Sequence, residues 1–180
     1  MTKTIKLNCR HLFVIASFLT LTIVSCNNGK DGSTSSMTEE ESLVAANQLD
    51  SMLLLAFNKG DVNALMQLYW NSPELTAYPP ARVMQLKGYE AVKEFYTRDF
   101  ASNKGARLEY TSNSNILFKD VVIGHGTFKW TMPVIGAKPI VFEGRHTEVK
   151  AMKDGKMVIV VDHTSAPMMA EATSDATQTK

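Results

Sequence analysis

Apolar residues recur at helical spacing early in the chain and at every second position later, and this change of period divides the fold in two. Leu43, Ala46, Leu49, Leu53 and Phe57 form one apolar stripe, the mark of an amphipathic helix. Met52, Leu55 and Ala56 widen the stripe, which predicts a well-buried helix. Its start is set by Thr38 followed by Glu39-Glu40-Glu41, a capping-box pattern with carboxylates at the positive end of the helix dipole. Gly60 ends it, since glycine accepts the left-handed conformation of a helix terminus. Asp61 is placed to cap a second, shorter helix running to Tyr69.

Asn71-Ser72-Pro73 breaks the chain, and Glu74 to Tyr78 reads as a short strand. Pro79-Pro80 must leave the sheet, because proline cannot donate to a ladder. Val83 to Leu86 reads as a second short strand, and Gly88 opens a third helix with Val92, Phe95, Tyr96 and Phe100 on one side. That helix should stop near Asn103-Lys104-Gly105. From Arg107 the period becomes two: a strand to Phe118, a turn at Lys119-Asp120, and a strand from Val121 to Met132. After a Pro133–Pro139 loop, Ile140 to Met152 and the chain up to Pro167 form a final pair of strands joined at Lys153-Asp154-Gly155. Gly124, Gly126 and Gly144 fall inside strands, where glycine marks a sharp bend or a close approach of neighbours. Helices first and a long meander after them predict an α+β domain, helices packed on one face of a curved antiparallel sheet.

The N-terminus adds an address. Lys3, Lys6 and Arg10 precede an apolar run of thirteen residues, Leu12 to Val24, too short to span a bilayer and suited to a signal-peptide core. It ends Ile23-Val24-Ser25-Cys26, which resembles a bacterial lipobox and predicts lipidation of Cys26. Residues 1–25 are then signal peptide, 26–37 a Gly, Ser and Asn-rich tether, 38–167 the folded domain and 168–180 a loose tail. Acyl chains on Cys26 would hold the domain to a membrane of the bacterial cell envelope, facing the periplasm or the cell surface. Cys9 leaves with the signal peptide, so no disulfide forms within the mature chain. The chain of 180 residues carries a net charge of +1, but without those three N-terminal bases its basic residues number 16 against 18 acidic. No basic stripe remains for nucleic acid.

Four short pieces carry a family resemblance: Asn58-Lys59-Gly60-Asp61, Pro73-Glu74-Leu75-Thr76-Ala77-Tyr78, Lys153-Asp154-Gly155-Lys156 and Val161-Asp162-His163-Thr164-Ser165-Ala166-Pro167. Their order and spacing resemble the association domain of calcium/calmodulin-dependent protein kinase II. The order of elements over Thr38–Pro167 resembles the wider nuclear transport factor 2-like superfamily, with its SnoaL-like and ketosteroid isomerase-like members. The resemblance implies a cone-shaped, cystatin-like fold with a cavity between sheet and helices, and a homodimer or larger assembly through the sheet's outer face. It does not imply steroid isomerisation. Tyr78 stands where those isomerases carry their basic aspartate, Leu53 where they carry a tyrosine, and Thr147 where they carry a second aspartic acid. The arginines of the kinase domain's pocket match Thr127, Glu148 and Thr164, so a basic pocket is absent as well.

The final hairpin gathers His146, Glu148, Asp162 and His163. A turn at Asp154-Gly155 places His146 across from Asp162 and Arg145 across from His163, with His146, Glu148 and Asp162 on one face. That face is expected to line the cavity. An imidazole beside two carboxylates can serve as a general acid or base. The same pair can equally do no more than satisfy a half-buried sheet. His125 and Thr127 are expected to reach the same cavity with Thr164, and Tyr69, Tyr78 and Tyr96 to rim its mouth. Phe128 and Trp130 should face away, as an apolar dimer contact. No metal-ligand spacing stands out, since His146 and Glu148 would need His125 or Asp162 as a third ligand; no metal or cofactor is expected. Two functions follow: a lipid-anchored domain binding or assembling around a small, partly apolar molecule, or an envelope isomerase, dehydratase or hydrolase using His146 with Asp162 or Glu148.

Overall fold

The computed structural model describes residues 37–80 and 84–166. The signal segment, Cys26, the tether up to residue 36 and the tail from Pro167 lie outside the described residues.

The first helix, α1 (Glu39–Lys59), begins at a full capping box: Glu41 N–H donates to Thr38 Oγ1 at 3.2 Å, and Thr38 N–H to Glu41 Oε2 at 2.8 Å. It ends at Gly60, with φ of 65°. Ala46, Leu49, Leu53 and Ala56 are buried, whereas Met52 and Leu55 are 47% and 57% exposed. The helix is therefore buried along one stripe, and the widening predicted from Met52 and Leu55 turns toward solvent. The second helix, α2 (Val62–Met66), has its Asp61 cap and stops short of Tyr69. The sheet claims the following residues: Ile159 N–H donates to Leu68 O and Trp70 N–H to Ile159 O, both at 2.9 Å. Strand β1 (Thr76–Tyr78) precedes β2 (Leu86–Lys87), which starts later than expected, Val83 lying outside the described residues. Helix α3 (Tyr89–Ser102) follows.

Strands β3 (Arg107–Phe118), β4 (Val121–Met132), β5 (Ile140–Lys153) and β6 (Lys156–Ser165) form the predicted meander. The six strands make one curved sheet ordered β2-β1-β6-β5-β4-β3. It is mixed rather than wholly antiparallel, because β1 joins β6 in parallel, with Tyr78 beside His163. The core lies between α1, α2, α3 and the inner face of the sheet, around Leu49, Leu65, Leu75, Val92, Val122 and Ile159.

A bulge decides which side chains of the last hairpin face that core. The tight turn pairs Lys153 with Lys156 and Lys150 with Ile159; past it the register shifts, so that Val149 pairs with Val161 and Glu148 with Asp162. The extra residue on β6 is Val160. Without it, Asp162 would fall opposite Thr147 and point to the other face, since a slip of one residue exchanges faces. The turn shifts the predicted register by one and Val160 shifts it by another, so the predicted partners are displaced by two: His146 stands across from Thr164, Arg145 across from Ser165, and Thr147 across from His163. A displacement of two keeps His146, Glu148 and Asp162 on one side.

Candidate functional site

Between the inner face of the sheet and the helices lies a cavity of about 120 Å³. Its walls are apolar and aromatic: Leu53 and Phe57 from α1, Phe95 and Tyr96 from α3, Phe128 and Trp130 from β4. Phe57 meets Tyr96, Phe100 and Trp130 edge to face, with ring centroids 5.0–6.5 Å apart. Leu65, Pro79, Pro80, Asp99, Leu108 and Thr164 also line it. The polar end is formed by Tyr69, Tyr110, His146, Glu148 and Asp162. Larger depressions of 340–380 Å³ mark the surface elsewhere, but none includes a buried carboxyl or imidazole.

Three strand glycines open the space these groups occupy. A Cβ on Gly124 would lie 2.8 Å from Lys150 Nζ; on Gly126, 2.1 Å from the Ser112 carbonyl and 2.8 Å from His146 Nε2; on Gly144, 2.4 Å from the Phe128 ring. The close approach expected at these glycines is thus the seating of Lys150, His146 and Phe128.

At one side of the polar end, Asp162 Oδ2 accepts from Tyr69 Oη at 2.8 Å and from Tyr96 Oη at 3.4 Å, the two phenols lying 3.0 Å apart. Asp162 Oδ1 is buried with no hydrogen-bond partner in the protein. Burial raises the Asp162 pKa, against the two phenols that lower it. The Tyr69 and Tyr96 hydroxyls are held well above their usual range, first by burial and next by the charge of Asp162, so both remain donors.

At the other side, Glu148 Oε1 accepts from Tyr110 Oη at 3.1 Å and stands 3.8 Å from His146 Nδ1, while Oε2 pairs with Lys150 Nζ at 3.2 Å. Lys150 is wholly buried and bonds to Asp50 and to Asn115 Oδ1. Asn113 and Asn115 donate to the second Asp50 oxygen at 2.8 and 2.7 Å. Burial pushes the Glu148 pKa up to about 7, against the attraction of Lys150. His146 is moved the opposite way: burial lowers its pKa, against the pull of Asp50. Its ring stacks on Tyr110 at 4.4 Å, nearly parallel. Its two ring nitrogens are buried without a hydrogen-bond partner in the protein. This end can therefore hold a neutral imidazole, an ionisable carboxyl and neutral phenols together near neutral pH.

The other predicted residues fall elsewhere. His125 and Thr127 are exposed on the outer face of β4; Thr127 Oγ1 bonds to the hydroxyls of Thr111 and Ser112 there. Tyr78 is 40% exposed, gives its hydroxyl to Gln85 and lies edge-on to His163; parallel pairing with β6 fixes it outside the cavity. Tyr69 is buried at the polar end instead of at the mouth. Phe128 and Trp130 line the cavity, the reverse of the expectation, since Val122, Gly124, Gly126, Phe128 and Trp130 share the inner face. Among the described residues, no three His, Cys, Asp or Glu side chains are grouped to hold a metal ion.

Asp50, Tyr110 and Lys150 were not foreseen. Lys150 continues the period-two series of His146 and Glu148, and Asp50 interrupts the apolar stripe of α1 between Leu49 and Leu53. A lysine and an aspartate on two inward-facing patterns were the available signal for a buried pair.

Comparison of the sequence finds no matching family model and no matching curated protein. Comparison of the structure finds many matches. A nuclear transport factor 2-like superfamily protein from Salmonella enterica aligns with a TM-score of 0.65 at 17% identity, over 76% of this chain and 99% of that one. A candidate dehydratase of the same fold family from Streptomyces avermitilis gives 0.63 at 14% identity, over 73% and 99%. A candidate calcium/calmodulin-dependent protein kinase II association domain from Xanthomonas campestris gives 0.57 at 18% identity, over 76% and 93%. Together with the mixed six-stranded sheet and its three helices, these likenesses give the chain the nuclear transport factor 2-like fold.

Proposed function

We propose that this protein is a lipid-anchored domain of the bacterial envelope that binds a small, partly apolar molecule in the cavity between sheet and helices. The observation that supports it is a pair of buried, unpartnered polar atoms on two residues that line that cavity, Asp162 Oδ1 and Trp130 Nε1. Leaving a buried polar atom unsatisfied costs about 1–3 kcal/mol, and a bound molecule with a donor and an acceptor would recover that. The anchor rests on the Cys26 motif, and assembly as a homodimer rests on exposed Ile116 and Phe118 of the outer face, 55% and 62% exposed. In this reading Ile116 and Phe118 replace Phe128 and Trp130 as the apolar contact. The test is a thermal-shift panel of small ring compounds against the full chain in detergent, with metabolic acyl labelling of wild type and Cys26→Ala. A panel without a single stabilising compound, or labelling that survives Cys26→Ala, contradicts the reading.

A second reading, an envelope enzyme, is favoured by one observation: Glu148 holds a pKa of about 7 beside a neutral imidazole in a water-poor site. Such a carboxyl is tuned for proton transfer at neutral pH. Glu148 would take or give the proton, Asp162 and the two phenols would hold a polar group of the substrate, and His146 would support the exchange as neutral imidazole. Glu148→Gln should then abolish turnover of a bound compound while it still binds. Unchanged turnover would rule Glu148 out as the acid or base.

A further inference from the structure

We propose that the molecule taken by this cavity is a small organic cation, a primary or secondary ammonium group on an apolar or aromatic body. This inference rests on the binding reading above and narrows it to one chemical class.

The lining carries three carboxyl groups, Asp99, Glu148 and Asp162, and no lysine or arginine among the described residues. Lys150, which pairs with Glu148, is already bonded to Asp50 and Asn115. Around the carboxyls stand the faces and edges of Phe57, Tyr96, Tyr110, Phe128 and Trp130. A cation over an aromatic face gains about 0.5–2 kcal/mol, the upper end when it is desolvated. An anion would meet three carboxyl groups and, among the described lining residues, no lysine or arginine.

Asp162 supplies the specific contact. Its Oδ2 is held by two phenols, which fixes the carboxyl plane, while Oδ1 is buried without a partner. An ammonium N–H donated to Oδ1 completes the shell and supplies the charge that the buried carboxyl lacks. At about 120 Å³ the cavity is close to the roughly 150 Å³ that holds benzene and suits one small ring.

Other titratable groups around the cavity shape the response to pH. Asp99 projects from α3 and is raised by burial; Glu148 and His146 come from β5 and Asp162 from β6. Tyr69, Tyr96 and Tyr110 stay neutral, and Asp50 of α1 faces Lys150 behind them. Burial raises all three carboxyls, and Glu148, pushed up to about 7, is partly protonated near neutral pH. An arriving ammonium favours their ionised form, so binding releases protons to the buffer.

The experiment is isothermal titration of the full chain in detergent, near pH 7, with three ligands of one shape: benzylamine, benzyl alcohol and benzoate. Benzylamine should bind about tenfold or more tightly than benzyl alcohol, a difference of about 1.4 kcal/mol, and benzoate should be the weakest. The benzylamine heat should vary with the ionisation enthalpy of the buffer, and the benzyl alcohol heat should not. Asp162→Asn should bring the two affinities together, through a larger loss for benzylamine than for benzyl alcohol. Equal binding of amine and alcohol, or tighter binding of benzoate, overturns the cation and leaves the cavity reading standing. No binding by any of the three overturns both.

Discussion

Glu148 is held from three sides, by Lys150, Tyr110 and His146, and is almost wholly buried. Its carboxyl titrates near 7 in the folded state against 4.5 outside it. A raised pKa means the folded state binds the proton more tightly than the unfolded one. The stabilisation is therefore complete below about pH 4.5 and is lost as pH rises through about 7, a change on the order of 3 kcal/mol. His146 works in the opposite sense, because burial lowers its pKa below 6.5, so its contribution grows as pH rises toward that value. Denaturant unfolding from pH 4.5 to 8 should accordingly show wild type losing stability relative to Glu148→Gln across this window. Parallel curves for the two proteins would mean that Glu148 is not so perturbed. Lys150 offers a second prediction at this scale. Lys150→Met leaves Asp50 and Glu148 buried without their common cation, and loss of one partner from a buried pair costs about 3–5 kcal/mol. A cost under 1 kcal/mol in urea unfolding would contradict the buried network.

Among the elements, β4 and the bulged hairpin β5–β6 do most to place the site. On β4 the inner residues alternate as Gly124, Gly126, Phe128 and Trp130, small ones where the sheet seats Lys150 and His146, large ones where the cavity needs a wall. Gly126→Ala should destabilise by about 1–3 kcal/mol, because its methyl group would press on the Ser112 carbonyl, which is backbone and cannot turn away. Stability equal to wild type would show that the strands are further apart than described. These elements also show where the sequence could be read. The limits of the four long strands, the capped α1 and the shared face of His146 and Glu148 were legible from periods and turn residues. The partner of Asp162 was not, since one bulge residue, Val160, moves the register without leaving a mark such as glycine or proline. On β4 a period of two separates two faces and does not say which is inner. The resemblance of Thr127 to a pocket residue of the kinase association domain points to the outer face, and the expected places of His125, Phe128 and Trp130 are reversed with it. Lys150 and Asp50 were hidden for another reason: a buried pair requires two elements a hundred residues apart to meet, and neither pattern alone reveals it.

At the scale of the molecule, the sheet separates two surfaces of different character. The inner one encloses the cavity; the outer one exposes Ile116 and Phe118 beside Val121 and Ile123, across from them in the ladder. Under the dimer proposal, Ile116→Ser with Phe118→Ser should shift the full chain in detergent from dimer toward monomer by light scattering and leave ligand binding in place. An unchanged mass would exclude this face as the contact. The cavity itself can be watched directly, because the chain has two tryptophans and one lines it. Trp130 stands on the cavity wall, whereas Trp70 lies outside it with Lys153 Nζ 4.7 Å from its ring centroid. Titration of the ¹⁵N-labelled protein with benzylamine should move the Trp130 indole N–H resonance and leave that of Trp70 unchanged. A titration in which Trp130 stays fixed, or in which only Trp70 moves, would contradict the cavity as the ligand site.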